Sequence, residues 1–217
     1  MKLGLFSDVH ANAGSLDKAL KLLERKGVDQ LLCAGDLVDG MTEGEAAAQR
    51  VKNLNIPVVM GNHDFAYSRP QPKHQRGGIW LPHKQDDALS GNTVSFLASL
   101  PHWRELEYEH TKIVLAHANT WDFATYVFPS ASSAAKVKRL KASVRDDVKA
   151  IILGHTHVPM QMIYKDLRIF NPGSVEGNRY SSTRSCAILT VPSLEYEVYE
   201  IDRGVPLHIE TYQMQDW

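Results

Sequence analysis

The chain has little cysteine, and its two cysteines, Cys33 and Cys186, share no CxxC spacing. That excludes a disulfide framework and a thiolate metal site. It has no surplus of charge: 24 Lys and Arg against 25 Asp and Glu leave a formal net charge of -1 over 217 residues. A domain built for indiscriminate binding to nucleic acid or anionic membranes carries a basic excess, so both partners are disfavoured. Long apolar runs are also missing. None approaches the roughly 18 residues of a membrane span, and Leu3 to Phe6 is too short, and too soon followed by charge, for a signal peptide. No linker, repeat or low-complexity segment divides the chain. The remainder, 43% hydrophobic and 23% charged, is the balance of an ordinary globular protein. The expectation is one cytoplasmic domain spanning residues 1–217.

Histidine is the unusual component. Of ten, five fall in short polar motifs: His10, His63, His117, His155 and His157. His74, His83, His102, His110 and His208 lack a carboxylate nearby in sequence and read as surface residues.

Apolar periodicity predicts where the five sit. Strands are expected over Lys2–Phe6, Gln30–Ala34, Pro57–Met60, Glu105–His110, Lys112–Ala116 and Ala150–Leu153. Four more follow over Pro159–Tyr164, Arg168–Phe170, Ser185–Val191 and Glu195–Ile201. Leu16, Ala19, Leu20 and Leu23 mark a helix capped by Asn12 and stopped by Gly27. Thr42 and Glu45 form a capping box for a helix through Val51. Two further helices carry Leu89, Phe96, Leu97 and Leu100, and Val137, Leu140, Val144 and Val148. Leading βαβ units and closing antiparallel strands argue for an α/β protein with two sheets packed face to face and helices outside.

On that map Asp8, His10, Asp36, Asn62, His63, His117, His155 and His157 all follow the carboxyl ends of strands, where open α/β sheets bind ligands. Asp8 and His10 are two apart, as are His155 and His157, so each pair points one way from an extended end. Carboxylate, imidazole and amide oxygen without thiolate suit borderline divalent metals. Seven ligands exceed what one tetrahedral ion needs and suit two ions sharing a bridge. Asp36 is the natural bridge, because a carboxylate offers two oxygens. Two divalent cations against two carboxylates leave positive charge that a bridging hydroxide only partly removes. The electrostatics therefore favour metal-assisted phosphoester hydrolysis.

The ordered segments SDVHAN (7–12), GDLVDG (35–40), GNHD (61–64), LAHA (115–118), GHTH (154–157) and NPGS (171–174) resemble the calcineurin-like metallophosphoesterase superfamily. The similarity is greatest to its compact bacterial and archaeal phosphodiesterase-like branch. The resemblance implies a four-layer αββα sandwich of two mixed sheets flanked by helices. It implies one metal on Asp8, His10, Asp36 and His157, and a second on Asp36, Asn62, His117 and His155. Manganese is the first expectation, with iron, nickel, cobalt or zinc as alternatives. His63 would face the phosphate and protonate the leaving oxygen. Asp64 would orient the His63 ring, and Asp39 would support a ligand histidine. Arg179, shortly after NPGS, is a speculative phosphate contact.

Where the superfamily's protein phosphatases continue GDxVDRG, this chain has Gly40 and Met41, which disfavours a protein phosphatase. The leading expectation is a phosphodiesterase acting on small or nucleotide-like diesters, the alternative a phosphomonoesterase. A nuclease and a scaffold on the same fold rank lower. A homo-oligomer is left open. Residues Phe65 to Gln85 read as too broken for regular structure and suit a binding loop. Trp121, Phe123, Tyr126 and Phe128 either wall the pocket or pack in the core, and Lys136, Lys138, Arg139 and Lys141 read as an exposed face.

Overall fold

The first strand, β1 (Lys2–Phe6), shows how the chain is layered. Leu3 and Leu5 turn to one side while Phe6 turns to the other, as a period of two requires, and both sides are buried. The computed structural model describes residues 1–68, 89–178 and 180–214. After β1 come α1 (Ala13–Arg25), β2 (Gln30–Cys33), α2 (Gly44–Leu54), α3 (Asn62–Ser68), α4 (Gly91–Ser99), β3 (Trp103–Tyr108), β4 (Thr111–Ala116) and α5 (Ala134–Ser143). The rest is strand: β5 (Val148–Ile152), β6 (Met160–Tyr164), β7 (Leu167–Asn171), β8 (Ser185–Thr190), β9 (Glu195–Glu200), β10 (Pro206–Leu207) and β11 (Thr211–Gln213).

Two mixed sheets result, ordered β10-β9-β8-β1-β2 and β11-β6-β7-β5-β4-β3. Their facing sides bury Leu3, Leu5, Leu32, Ile113, Leu115, Ile152 and Phe170 in one cluster. The outer side of the first sheet meets Leu16 and Leu23 of α1, Ala47 and Val51 of α2, and Leu97 of α4. The outer side of the second sheet meets Val137 and Leu140 of α5. The α/β sandwich of two mixed sheets with outer helices is therefore as expected. Continuous apolar runs such as Ile113 to Ala116 arise because both faces of the strand are covered.

Several elements differ from expectation. Pro57–Met60 is not a full strand but makes one parallel bridge, Val58 with Cys33. Pro57 has no N–H to donate, and the Met60 N–H leaves the sheet for the Pro101 carbonyl. The expected Thr42–Glu45 capping box does not form: Glu43 is the N-cap residue and makes no side-chain cap bond to α2. Glu45 instead accepts from the Ser90 N–H and hydroxyl and from the Thr93 hydroxyl, at the start of α4. Val144 and Val148 lie outside α5, which ends at Ser143; Val144 is extended and Val148 opens β5. Residues 65–68 belong to α3, although 65–85 reads as irregular; the rest of that segment, with Arg69, Lys73 and Arg76, lies outside the described residues. Among the described residues no helix is long and apolar enough to cross a membrane.

Candidate metal centre

The ends of β1, β2, β4 and β5 converge on one rim, and the backbone there is unusual. Asp8, His10, Asp36, His155 and His157 all adopt left-handed conformations, with φ between 46° and 67°. Each such non-glycine residue costs of order 1–3 kcal/mol and persists only where its surroundings over-determine it. The surroundings are a zipped pair of loops: Asp8 N–H donates to the Gly35 carbonyl, Val9 and His10 N–H to that of Asp36, and Ala11 N–H to that of Leu37. The NPGS turn adds a clamp. The Ser174 hydroxyl donates to the Asp8 carbonyl, and Asn171 Nδ2 to the Gly154 carbonyl and Thr156 hydroxyl. Two glycines permit the closeness. A methyl on Gly61 would lie 2.6 Å from Asp36 Cγ, and one on Gly154 would lie 2.9 Å from Asp8 Oδ2 and 3.2 Å from His117 Nδ1.

Asp8, His10 and His157 form one buried ligand group and Asp36, His117 and His155 another. In the first, His157 Nε2 lies 3.3 Å from Asp8 Oδ1 and 3.0 Å from His10 Nε2. In the second, His117 Nε2 lies 3.1 Å from both Asp36 Oδ2 and Asn62 Oδ1. Asp36 stands between them, its Oδ2 also 3.7 Å from His10 Nε2. Asp36 Oδ2 faces both groups, while Oδ1 accepts the His63 N–H at 2.9 Å.

The donor chemistry fits cations. His10, His117 and His157 each place Nδ1 on a backbone carbonyl, of Asp39, Ala34 and Gly177, at 3.0, 2.7 and 3.1 Å. His155 places Nε2 on the Ala124 carbonyl at 3.0 Å. A carbonyl only accepts, so these nitrogens carry ring protons, and each ring when neutral holds its lone pair on the opposite nitrogen. The His10 and His157 lone pairs then face each other beside a carboxylate, an arrangement that calls for a positive ion. Burial keeps His10 and His155 neutral, both lowered to about 4. Burial alone would lower His117 as well, but the Asp36 carboxylate outweighs it and pushes the ring up to about 9. Burial likewise opposes ionisation of Asp8 and Asp36, yet His157 and His117 beside them hold both well below the usual carboxylate range. Buried His/Asp groups sharing one carboxylate fit a dinuclear metal site.

His63, on the first turn of α3, is half-buried beside these groups, its Nε2 4.0 Å from Asp36 Oδ2. The expected partner of its ring is corrected. Asp64 does not orient it: that buried carboxylate accepts N–H bonds from Asp36, Leu37 and Gly61 at 2.8–3.0 Å, because the i+1 residue on a helix points away from its neighbour. Burial and the Asp36 charge push Asp64 up to about 6. Asp39 takes the place foreseen for Asp64, its Oδ2 2.6 Å from His63 Nδ1, while its backbone carbonyl holds the ligand candidate His10. A cleft of about 300 Å³ opens over His10, Gly40, His63, His157 and the 176–178 turn. Arg179 lies outside the described residues.

The 119–128 segment, whose aromatic residues read as either pocket wall or core, packs against the second ligand group. Its Ala124 carbonyl holds His155, and its Tyr126 ring stacks on that imidazole at 4.0 Å. Two α5 cations that read as an exposed face clamp the same segment: Lys136 donates to the Tyr126 carbonyl and Arg139 lies 4.3 Å from the centre of the Trp121 ring.

A two-sheet sandwich with such groups at its strand ends defines a class, the metallophosphoesterases. Residues 1–193 match the Calcineurin-like phosphoesterase superfamily domain, and the chain belongs to that superfamily. It is similar to Phosphodiesterase YfcE of Escherichia coli strain K12, 24% identical over 185 residues that cover 81% of this chain and 79% of YfcE. Protein MJ0912 of Methanocaldococcus jannaschii is 25% identical over 169 residues, covering 72% of this chain. That match spans 63% of MJ0912, so this chain accounts for less than two thirds of that relative's length. The crystal structure of a metallophosphoesterase from Sphaerobacter thermophilus shares the fold at a TM-score of 0.71, with 22% identity over 92% of this chain and 88% of that one.

Proposed function

We propose that this chain is a phosphodiesterase that hydrolyses small or nucleotide-like diesters with two divalent ions, manganese first among them. The observation that carries the reading is the pair of buried imidazole–carboxylate groups meeting at Asp36 Oδ2. Asp8, His10, Asp36 and His157 would hold one ion, and Asp36, Asn62, His117 and His155 the other. Ions held there supply Lewis-acid polarisation of the phosphoryl oxygens and a bound water of lowered pKa.

The chain's own residues supply the rest. The backbone carbonyls of Asp39, Ala34, Gly177 and Ala124 keep each ligand ring in the tautomer that presents its lone pair inward. Asp39 retains the proton on His63 Nδ1, which sets Nε2 as the nitrogen that gives a proton to the leaving alkoxide. Burial opposes charge on His63, but Asp39 outweighs it and raises the ring's pKa, which favours the acid form. Asp64 braces the Asp36 loop through three backbone N–H groups.

The diester reading over the monoester one is supported by the cleft's charge. Among the described residues it is lined by imidazoles, Glu176 and small residues, with no Lys or Arg. A dianionic monoester would meet Glu176 with no Lys or Arg among the described lining residues, whereas a diester carries one negative charge less. YfcE, similar over most of both chains, is named a phosphodiesterase. The test is metal-stripped protein reloaded separately with Mn, Co, Ni, Zn or Mg and assayed on bis-p-nitrophenyl phosphate and p-nitrophenyl phosphate. Diester turnover that tracks two bound ions is expected. A consistent monoester preference would replace this reading with a phosphomonoesterase.

A further inference from the structure

We propose that Asp122 is a positioning residue for the second metal ion, because it shapes the turn whose Ala124 carbonyl orients the His155 ring. The inference rests on the two-ion reading above. Asp122 Oδ1 accepts from the Asn119 amide at 3.0 Å, from Ala124 N–H at 2.8 Å and from Thr125 N–H at 2.7 Å. Its Oδ2 accepts from the Thr125 hydroxyl at 2.7 Å. Asn119 closes the turn from the other side: its Oδ1 accepts the N–H groups of Trp121 and Asp122, and its Nδ2 reaches the Thr125 carbonyl. The Asp122 carboxylate and the Asn119 amide together organise the turn from 119 to 125.

The turn presents the Ala124 carbonyl to the second ligand group. Ala124 O lies 3.0 Å from His155 Nε2, and the Tyr126 ring two residues further on covers the same imidazole at 12° from parallel. The His155 backbone is fixed separately, by its N–H on the Asp8 carboxylate. The backbone is thus held from the first ligand group, and the ring's rotation and tautomer are held from the 119–126 turn. A half-turn about χ2 would put Cδ2–H where Nδ1 stands and so remove a lone pair from the second group. The turn is anchored as a body: Phe123 packs between Phe65 of α3, 4.8 Å away, and His102, 4.2 Å away. The Asp122 carbonyl also lies 3.1 Å from His102 Nε2. Asp122 stays charged because these donors outweigh its partial burial and hold it down at about 2.

Groups that orient metal-ligating histidines are worth about 10–100-fold in metal affinity. The test titrates the metal-free full chain with Mn(II) by calorimetry, for wild type, Asp122→Ala and Asp122→Asn, and follows the His155 ring by nitrogen-15 NMR. Asp122→Ala is expected to weaken one of two binding steps about 10–100-fold and leave the other within about twofold. The hydrogen-bonded His155 Nε2–H resonance should disappear with it. Asp122→Asn keeps an oxygen for the two backbone N–H groups and should retain both the resonance and most of the affinity. Asp122→Ala folded as wild type, with both steps and the resonance unchanged, would overturn the proposal. So would equal weakening of both steps, which marks a general structural role. A wild-type chain with a single step strikes the two-ion reading instead, and the Nε2–H resonance still decides whether Asp122 orients His155.

Discussion

A methyl group added at Gly61 tests the site without replacing any proposed ligand. The Cβ of Gly61→Ala would lie 2.6 Å from Asp36 Cγ, and closer still to its Oδ1 and backbone nitrogen. Carbon atoms in contact prefer about 3.5–4.0 Å, so the carboxylate must retreat by about 1 Å. Retreat is constrained on three sides. Asp36 N–H is bonded to Asp64, Asp36 Oδ1 to the His63 N–H, and Asp36 O to the N–H groups of Val9 and His10. The methyl therefore moves Oδ2 relative to His10 and His117, 3.7 and 3.1 Å away. Overpacking of this kind costs about 1–3 kcal/mol, a fall of about 3–9 °C in Tm for a chain this size. A displacement of about 1 Å at a reacting centre costs about 100-fold in rate. Thermal unfolding, metal content and turnover of bis-p-nitrophenyl phosphate read the three effects. A variant that retains two ions and wild-type turnover would refute the reasoning that Asp36 Oδ2 must sit where it does.

The remaining expectations concern protons. His63→Ala should keep both ions and lose about 100- to 10,000-fold in turnover of alkyl diesters, with a smaller loss on p-nitrophenyl esters; loss of metal instead would make His63 a ligand. Asp39→Asn removes the charge that raises His63. The rate limb that needs protonated His63 falls as pH rises through that pKa, so in the variant it should fall at lower pH, and an unmoved limb in the pH–rate profile would separate Asp39 from proton donation. Metal uptake should release a proton. The metal-free His117 is raised to about 9, so below that pH an ion displaces its proton, and one apparent affinity should climb about tenfold per pH unit and level off above about pH 9. Calorimetry in buffers of different ionisation enthalpy counts that proton, and pH-independent uptake between 6 and 8 would contradict it.

Where apolar runs end in short polar motifs, the sequence was a good guide to this rim. β1, β2, β4 and β5 are buried on both faces, so their boundaries appear as abrupt changes from Leu, Ile and Val to Asp and His. Pro57–Met60 reads as a full strand yet makes one bridge, because an apolar run reports burial and not hydrogen bonding, and Pro57 cannot donate. The seven residues of α3 are too few to establish a helical period, so His63 reads only as following a strand end. Its partner was misassigned for that reason: adjacency in sequence favours Asp64, and only the turn of α3 shows that Asp39 is the neighbour. The carbonyls of Ala34, Ala124 and Gly177, which set three ring tautomers, belong to residues whose side chains carry no polar signal. Glu45 reads as an N-terminal cap of its own helix, but α4 brings Ser90 and Thr93 closer than the first turn of α2.

The central claim is that Asp36 joins two ion positions in one site. It is tested most directly by counting bound Mn per folded chain, by elemental analysis after gel filtration, for wild type and Asp36→Asn. Two ions per wild-type chain, with both occupancies reduced together in Asp36→Asn and diester turnover lost, is the predicted result. One ion per wild-type chain, or two ions retained by Asp36→Asn at full turnover, would contradict it.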